Sequence, residues 1–197
     1  MDYFDRNISA LQRIHPEFAN RICDAIGDKH LLRNENGQVH YIHGMSSYSL
    51  NLSSGSLLVL LESAPKVSDV LLVGVGLGEP LPVLLNEGPS NTVWHVWDDD
   101  PAMWRETLSR FDLRVHLFSG RLKPYLGVDL ISEQESLSAM PLLGHPVLEH
   151  FYHLHIEYLK NPNKDKKCLL CDGELFVEDV AQTLKQQGYA IYPWATG

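Results

Sequence analysis

Gly74, Gly76 and Gly78 alternate with Val75 and Leu77 directly after the apolar run Val70–Val73, and the helix-compatible segment Glu79–Leu85 follows at once. A strand that breaks into alternating glycines and then a helix can turn tightly and bring its backbone close to a ligand. The same turn places free helix N–H groups at the mouth of a site. A second apolar run, Val93–Trp97, ends in Asp98, Asp99 and Asp100, and Asp98 lies twenty residues beyond Gly78. An acid at the tip of the second strand is where α/β nucleotide folds hold a ribose hydroxyl. Asp98 is therefore the ribose candidate. Asp99 and Asp100 read instead as an exposed acidic loop that also caps the helix opening at Pro101.

Other clusters point to weaker chemistry. His145, His150, His153 and His155 are dense, but only His150 and His153 share a helical face, and Glu149 and His153 are spaced to pair. That set falls short of a metal centre. Cys168 and Cys171 have redox spacing, yet they sit inside an apolar strand pattern rather than at an exposed helix start, so small core residues are the expected reading. Trp94, Trp97 and Trp104 read as core. No group of residues resembles a catalytic set.

The elements that must position the glycines and Asp98 follow from periodicity. Helical spacing covers Asp5–Ile14, and Pro16 opens a second helix that stops at Gly27. Asn36-Gly37 between apolar runs predicts a hairpin, with Gln38–Ile42 as its second strand. Serines at 53, 54 and 56 offer caps for a helix over Leu57–Leu61. Strands are expected at Val70–Val73, Val93–Trp97, Val115–Phe118, Val128–Ile131 and Ser138–Leu143, with helices at Pro80–Leu85, Pro101–Phe111 and Pro146–Leu159. Cys168–Cys171 and Tyr189–Tyr192 flank a helix over Glu174–Gln187, a βαβ pattern after the polar stretch Asn161–Lys167. The expected division is a helical and hairpin lead-in over 1–66, an α/β domain over 67–160, and a linker with a βαβ unit over 161–197.

Composition narrows the function classes. The 197 residues are 44% hydrophobic and 21% charged, ordinary for a globular domain. A net charge of -9 argues against a nucleic-acid footprint, which would be basic and clustered. No apolar run reaches the ~18 residues of a membrane helix. The start lacks a signal-peptide pattern, and three cysteines suit a reducing compartment, so a cytoplasmic location is expected.

The Gly-x-Gly-x-Gly spacing resembles the first motif of S-adenosylmethionine-dependent methyltransferases rather than the dinucleotide fingerprint, because the third glycine arrives one residue early and Glu79 holds its place. Residues from about Asp5 to Leu159 resemble the N-terminal domain of motility-associated-factor (Maf-type) glycosyltransferases. The residues that carry this are Gly74–Gly78, Trp97–Pro101, Phe111-Asp112-Leu113 and the opening Ile8–Ala19. Glu79 stands where that family has a tyrosine, and Asp99 displaces the acid–proline pair. The tail, Lys167–Ala181 with Gly188–Tyr192, looks like the opening β-α-β of CgeB-like glycosyltransferases.

The resemblance implies a Rossmann-like, methyltransferase-type, mostly parallel sheet. It implies a cofactor site built from Gly74, Gly76, Gly78, Asp98 and Ser119, the last where methyltransferase folds contact adenine. The ligand classes would be S-adenosylmethionine or a nucleotide-sugar. On this reading the chain is an accessory module of a cytoplasmic glycosyltransferase, with the downstream transferase domain of the same chain as partner and a homo-oligomer as a further expectation. The alternatives are an S-adenosylmethionine-dependent methyltransferase acting on a small molecule or protein, and a structural module with an inactive pocket.

Overall fold

The computed structural model describes residues 2–25, 32–35, 38–43, 46–127, 129–148, 152, 156, 167–172 and 189–194. Two compact units emerge, Met1–Tyr152 and His153–Gly197. The expected segments 1–66 and most of 67–160 lie together in the first.

The first unit is built on a four-stranded, all-parallel sheet: β4 (Asp69–Val73), β5 (Val93–Asp98), β6 (Leu122–Leu126) and β7 (Leu142–Gly144). Its spatial order is β6-β5-β4-β7. The chain steps outward from β4 through β5 to β6, then returns to the far side of β4. The direction of winding therefore reverses between β4 and β7, and that is where open α/β sheets leave a crevice at their carboxyl ends. Continuous burial of Val70, Leu71, Leu72 and Val73 fits a central strand covered on both faces. Together these features make a Rossmann-like α/β fold.

Helices α4 (Pro80–Asn86) and α5 (Pro101–Arg110) start at prolines, whose missing N–H is tolerated in a first turn. Asp100 caps α5 by accepting from Ala102 N at 2.7 Å, as expected of it, but it is buried rather than exposed, because its loop packs at the carboxyl end of the sheet. The lead-in helices α1 (Tyr3–Ile14) and α2 (Pro16–Asp24) pack on α5 rather than standing apart. Buried Asn7 fixes this docking. Its Nδ2 donates to Leu108 O and Phe111 O, and its Oδ1 accepts from Leu113 N. Arg21 of α2 pairs with Asp129 and also donates to Leu126 O at the end of β6.

Strands β1 (Leu32–Glu35), β2 (Gln38–His43) and β3 (Ser46–Ser49) form an antiparallel sheet, with Glu35 opposite Gln38 across the expected hairpin position. Helix α3 (Ser54–Ser63) is capped by Ser53, which accepts from Ser56 N.

Three strand expectations fail. Val115–Phe118 lies in a helix, α6 (Arg114–Phe118), and the third strand of the sheet is Leu122–Leu126. That segment carries Pro124, which lacks a ladder N–H. A proline is tolerated there because β6 is an edge strand. Residues Asp129–Ser132 form a helical turn, α7, where a fourth strand was expected, and Gln134–Ser138 form α8. Of the expected strand Ser138–Leu143, only its end belongs to β7.

In the second unit β8 (Lys167–Asp172) and β9 (Tyr189–Trp194) pair in parallel, Cys168 opposite Ala190 and Leu170 opposite Tyr192. The expected helix Glu174–Gln187 lies outside the described residues, as do most of Pro146–Leu159 and the linker Asn161–Lys167 up to its last residue.

Candidate functional site

The glycine turn sits at the carboxyl end of β4, at the predicted place. Gly74, Gly76 and Gly78 all take positive φ, at 87°, 57° and 79°. L-residues pay steeply for that backbone, so glycine is required on conformation alone. Asp98 ends β5 beside the turn. The structure thus brings four of the five candidate residues together.

Ser119 is not among them. It follows α6 and precedes β6, so it lies at the amino end of a parallel sheet whose glycine turn is at the carboxyl end. The misplacement traces to reading Val115–Phe118 as a strand.

What faces the glycines is protein. A Cβ on Gly74 would stand 2.9 Å from Leu148 Cβ and 3.0 Å from His145 Cβ. On Gly76 it would stand 2.5 Å from His145 Nε2, and on Gly78 2.6 Å from Thr107 Cγ2. His145 comes from the segment that continues β7, held by its backbone N–H donating to Val73 O at 2.9 Å. The crevice between β4 and β7 is therefore occupied by the residues that follow β7. Thr107 of α5 closes the other flank, donating from Oγ1 to Gly76 O at 3.3 Å.

The imidazole of His145 is fully buried. Its Nδ1 accepts from Val147 N and Leu148 N at 3.2 and 3.3 Å, which places the neutral ring's proton on Nε2. That Nε2 has no hydrogen-bond partner among the described residues. Burial lowers the pKa of His145 to about 4. Protonation would also put a third N–H against two N–H donors.

Asp98 is equally committed. It is fully buried. Its Oδ2 accepts from Val75 N at 2.7 Å, and its Oδ1 accepts from Tyr152 Oη at 2.7 Å and Asp100 N at 3.0 Å. These donors favour the carboxylate, but burial outweighs them and pushes its pKa up to about 7. Asp99 is raised as well, by burial and by its two acidic neighbours. Its Oδ1 is buried without a partner among the described residues. Tyr152, buried and edge-to-face with Trp97, is held protonated by burial and the nearby acids. Tyr41 of β2 is raised too, by burial and then by the charges of Asp100, Asp98 and Asp99.

Glu79 follows the last of the three glycines. It occupies the residue before α4 without capping it, and its Oε2 accepts from Leu52 N at 2.6 Å. The glycine turn is thereby tied to the connection between β3 and α3.

Sequence reasoning missed His145 and Tyr152 as parts of this site. The histidine cluster points at most to a metal site for His145, and Tyr152 falls inside the expected helix Pro146–Leu159. The available signal was position: His145 directly follows the strand that returns beside the glycines. Among the described residues no cluster of His, Cys, Asp or Glu could hold a metal ion. His150, His153 and His155 lie outside them. None of the described helices is long and apolar enough to cross a membrane.

No family model matches this chain, and no curated protein matches it. Among solved structures it is similar to a Maf glycosyltransferase from Magnetospirillum magneticum AMB-1, with a TM-score of 0.52 and 14% identity. The match covers 96% of this chain and 45% of that one, so the chain spans less than half the length of its structural neighbour. The likeness is one of fold. It agrees with the architecture implied by the glycine turn and the acid after β5.

Proposed function

We propose that this chain is a non-catalytic, Rossmann-like module of a glycosyltransferase-related protein, in which the crevice of the nucleotide-binding ancestor is closed by the chain's own side chains. On this reading it stands at the amino-terminal side of a transferase domain and serves assembly or acceptor docking. The observation that carries the proposal is the filling of the switch-point crevice. His145 and Leu148 lie against Gly74 and Gly76, and Asp98 accepts from Val75 N, Asp100 N and Tyr152 Oη, three of its roughly four lone-pair sites. A ribose would have to displace Tyr152 from a buried carboxylate. An adenosine or uridine moiety would have to expel a buried imidazole.

The same arrangement weighs against the methyltransferase alternative, which needs the glycine turn open and an acid with free acceptors. A closed crevice of this kind acts as a packed joint. It links β4, β5, β7 and, through Glu79, the lead-in.

Calorimetric titration of the full chain with S-adenosylmethionine, and separately with a uridine-diphosphate sugar, tests this. No heat of binding is expected at millimolar ligand, and the amide resonances of Gly74–Gly78 should not move. Saturable binding that shifts those amides would restore the ligand-binding reading and sink this one.

A further inference from the structure

Two exposed apolar features of the first unit carry opposite charge. One is a groove between α1 and α6 of about 160 Å³, lined by Arg6 and Arg13 of α1 and by Arg114 and Phe118 of α6. Arg6 and Arg13 are seven residues apart, two helical turns, and so share a face. Phe118 is 54% exposed, and Val115 at the next turn is 74% exposed. One carboxylate, Asp112, serves this rim. It is bound by Arg114 at 2.6 Å and lowered chiefly by that contact, with a smaller contribution from Arg6. The groove is therefore basic on a chain whose acidic residues outnumber its basic ones by 25 to 16.

The other feature is the outer ridge of α3. Leu58 is 55% exposed and Val59 64% exposed, and Glu62 follows them at helical spacing. No basic residue occurs anywhere in α3.

We propose that copies of this chain associate head to tail, the α3 ridge of one copy seating in the α1–α6 groove of the next. The apolar side chains of each patch leave water against the other, and Glu62 meets the arginine rim. The occupant fits because the groove has the sign opposite to the chain as a whole, so another copy is attracted to this place and repelled elsewhere. A ridge-to-groove contact is heterologous: the two surfaces differ, and each copy of a pair keeps one of its two surfaces unused. This inference is independent of whether the glycine crevice binds a ligand.

Sedimentation of the full chain across a wide concentration range tests it, with two surface variants. Phe118→Asp spoils the groove and Val59→Asp spoils the ridge. Both positions are exposed, and circular dichroism checks that each variant folds. The wild-type mass should rise with concentration, less so in high salt. Each variant alone should stay monomeric. An equimolar mixture should form dimers and stop there, because it offers one intact groove and one intact ridge per pair. A wild-type chain that is monomeric throughout would assign these patches to a different partner and overturn the proposal. So would a monomeric mixture, or a single variant that associates as the wild type does.

Discussion

Gly76 holds φ at 57° with His145 Nε2 where its own Cβ would stand. Replacing it with alanine combines two penalties: about 1–2 kcal/mol for a left-handed backbone at a residue with a Cβ, and about 1–3 kcal/mol for overpacking. Truncating the imidazole removes only the second. A double-mutant cycle of Gly76→Ala and His145→Ala, followed by urea unfolding, should therefore show favourable coupling of about 1–3 kcal/mol. Strict additivity would mean that His145 does not fill the crevice. Asp98 makes a pH prediction at the same scale. Its carboxyl is raised to about 7 in the folded chain and returns to ~4 when unfolded. The folded state thus binds the extra proton between those values. Stability from this group is fully present below ~4 and is lost as pH rises through about 7. His145 has the opposite sign. Lowered to about 4 from an ordinary 6.5, it contributes stability above 6.5 that is lost as pH falls through about 4. The stability of His145→Ala chains relative to their Asp98→Asn derivatives should fall steadily as pH rises from ~4 to about 7, the interval between the two carboxyl pKa values, and level off above it. A difference that stays flat would show that Asp98 is ionised throughout.

At the scale of elements, what the sequence made legible was whatever local pattern determines. The glycine turn, the apolar β4 and β5, the proline-started α4 and α5 and the serine cap of α3 all write their signals in adjacent residues. Arg114–Phe118 did not, because Val115, Leu117 and Phe118 satisfy strand alternation about as well as a short helix. Only the packing of Leu117 inward, with Val115 and Phe118 outward, distinguishes the two. Pro124 weakens the strand signal of β6, whose edge position is a property of the whole sheet. The error then carried Ser119 to the wrong end of the molecule. The residues that close the crevice were illegible for a related reason. His145 and Tyr152 acquire their roles from strands some 50 to 70 residues earlier in the chain, and no local spacing records that contact.

Across the whole first unit, polar side chains act as internal joints. Asp98 holds Tyr152, Glu79 holds Leu52 N, Asn7 holds the end of α5, and His145 holds the crevice. Each joins segments far apart in the chain, so the lead-in, the sheet and the segment after β7 are bound into one unit. The most exposed apolar side chains lie on α3 and α6, where the head-to-tail contact would cover them.

The order in which β7 enters the sheet has a kinetic consequence. Strands β4, β5 and β6 pair with their neighbours in sequence, and their loops close over short distances. β7 must return across β6 and β5 to reach β4, bringing His145 and Tyr152 with it. Longer closures are slower to recover their entropy. The expected order is therefore that the crevice forms before its stopper arrives, with Gly76 and Asp98 facing water until β7 docks. Val96→Ala in β5 should slow refolding. Tyr152→Phe should leave the refolding rate nearly unchanged and speed unfolding, a φ-value near zero in a stopped-flow chevron. If Tyr152→Phe slowed refolding in proportion to its loss of stability, the stopper would belong to the nucleus, and the crevice would never stand open in the life of the chain.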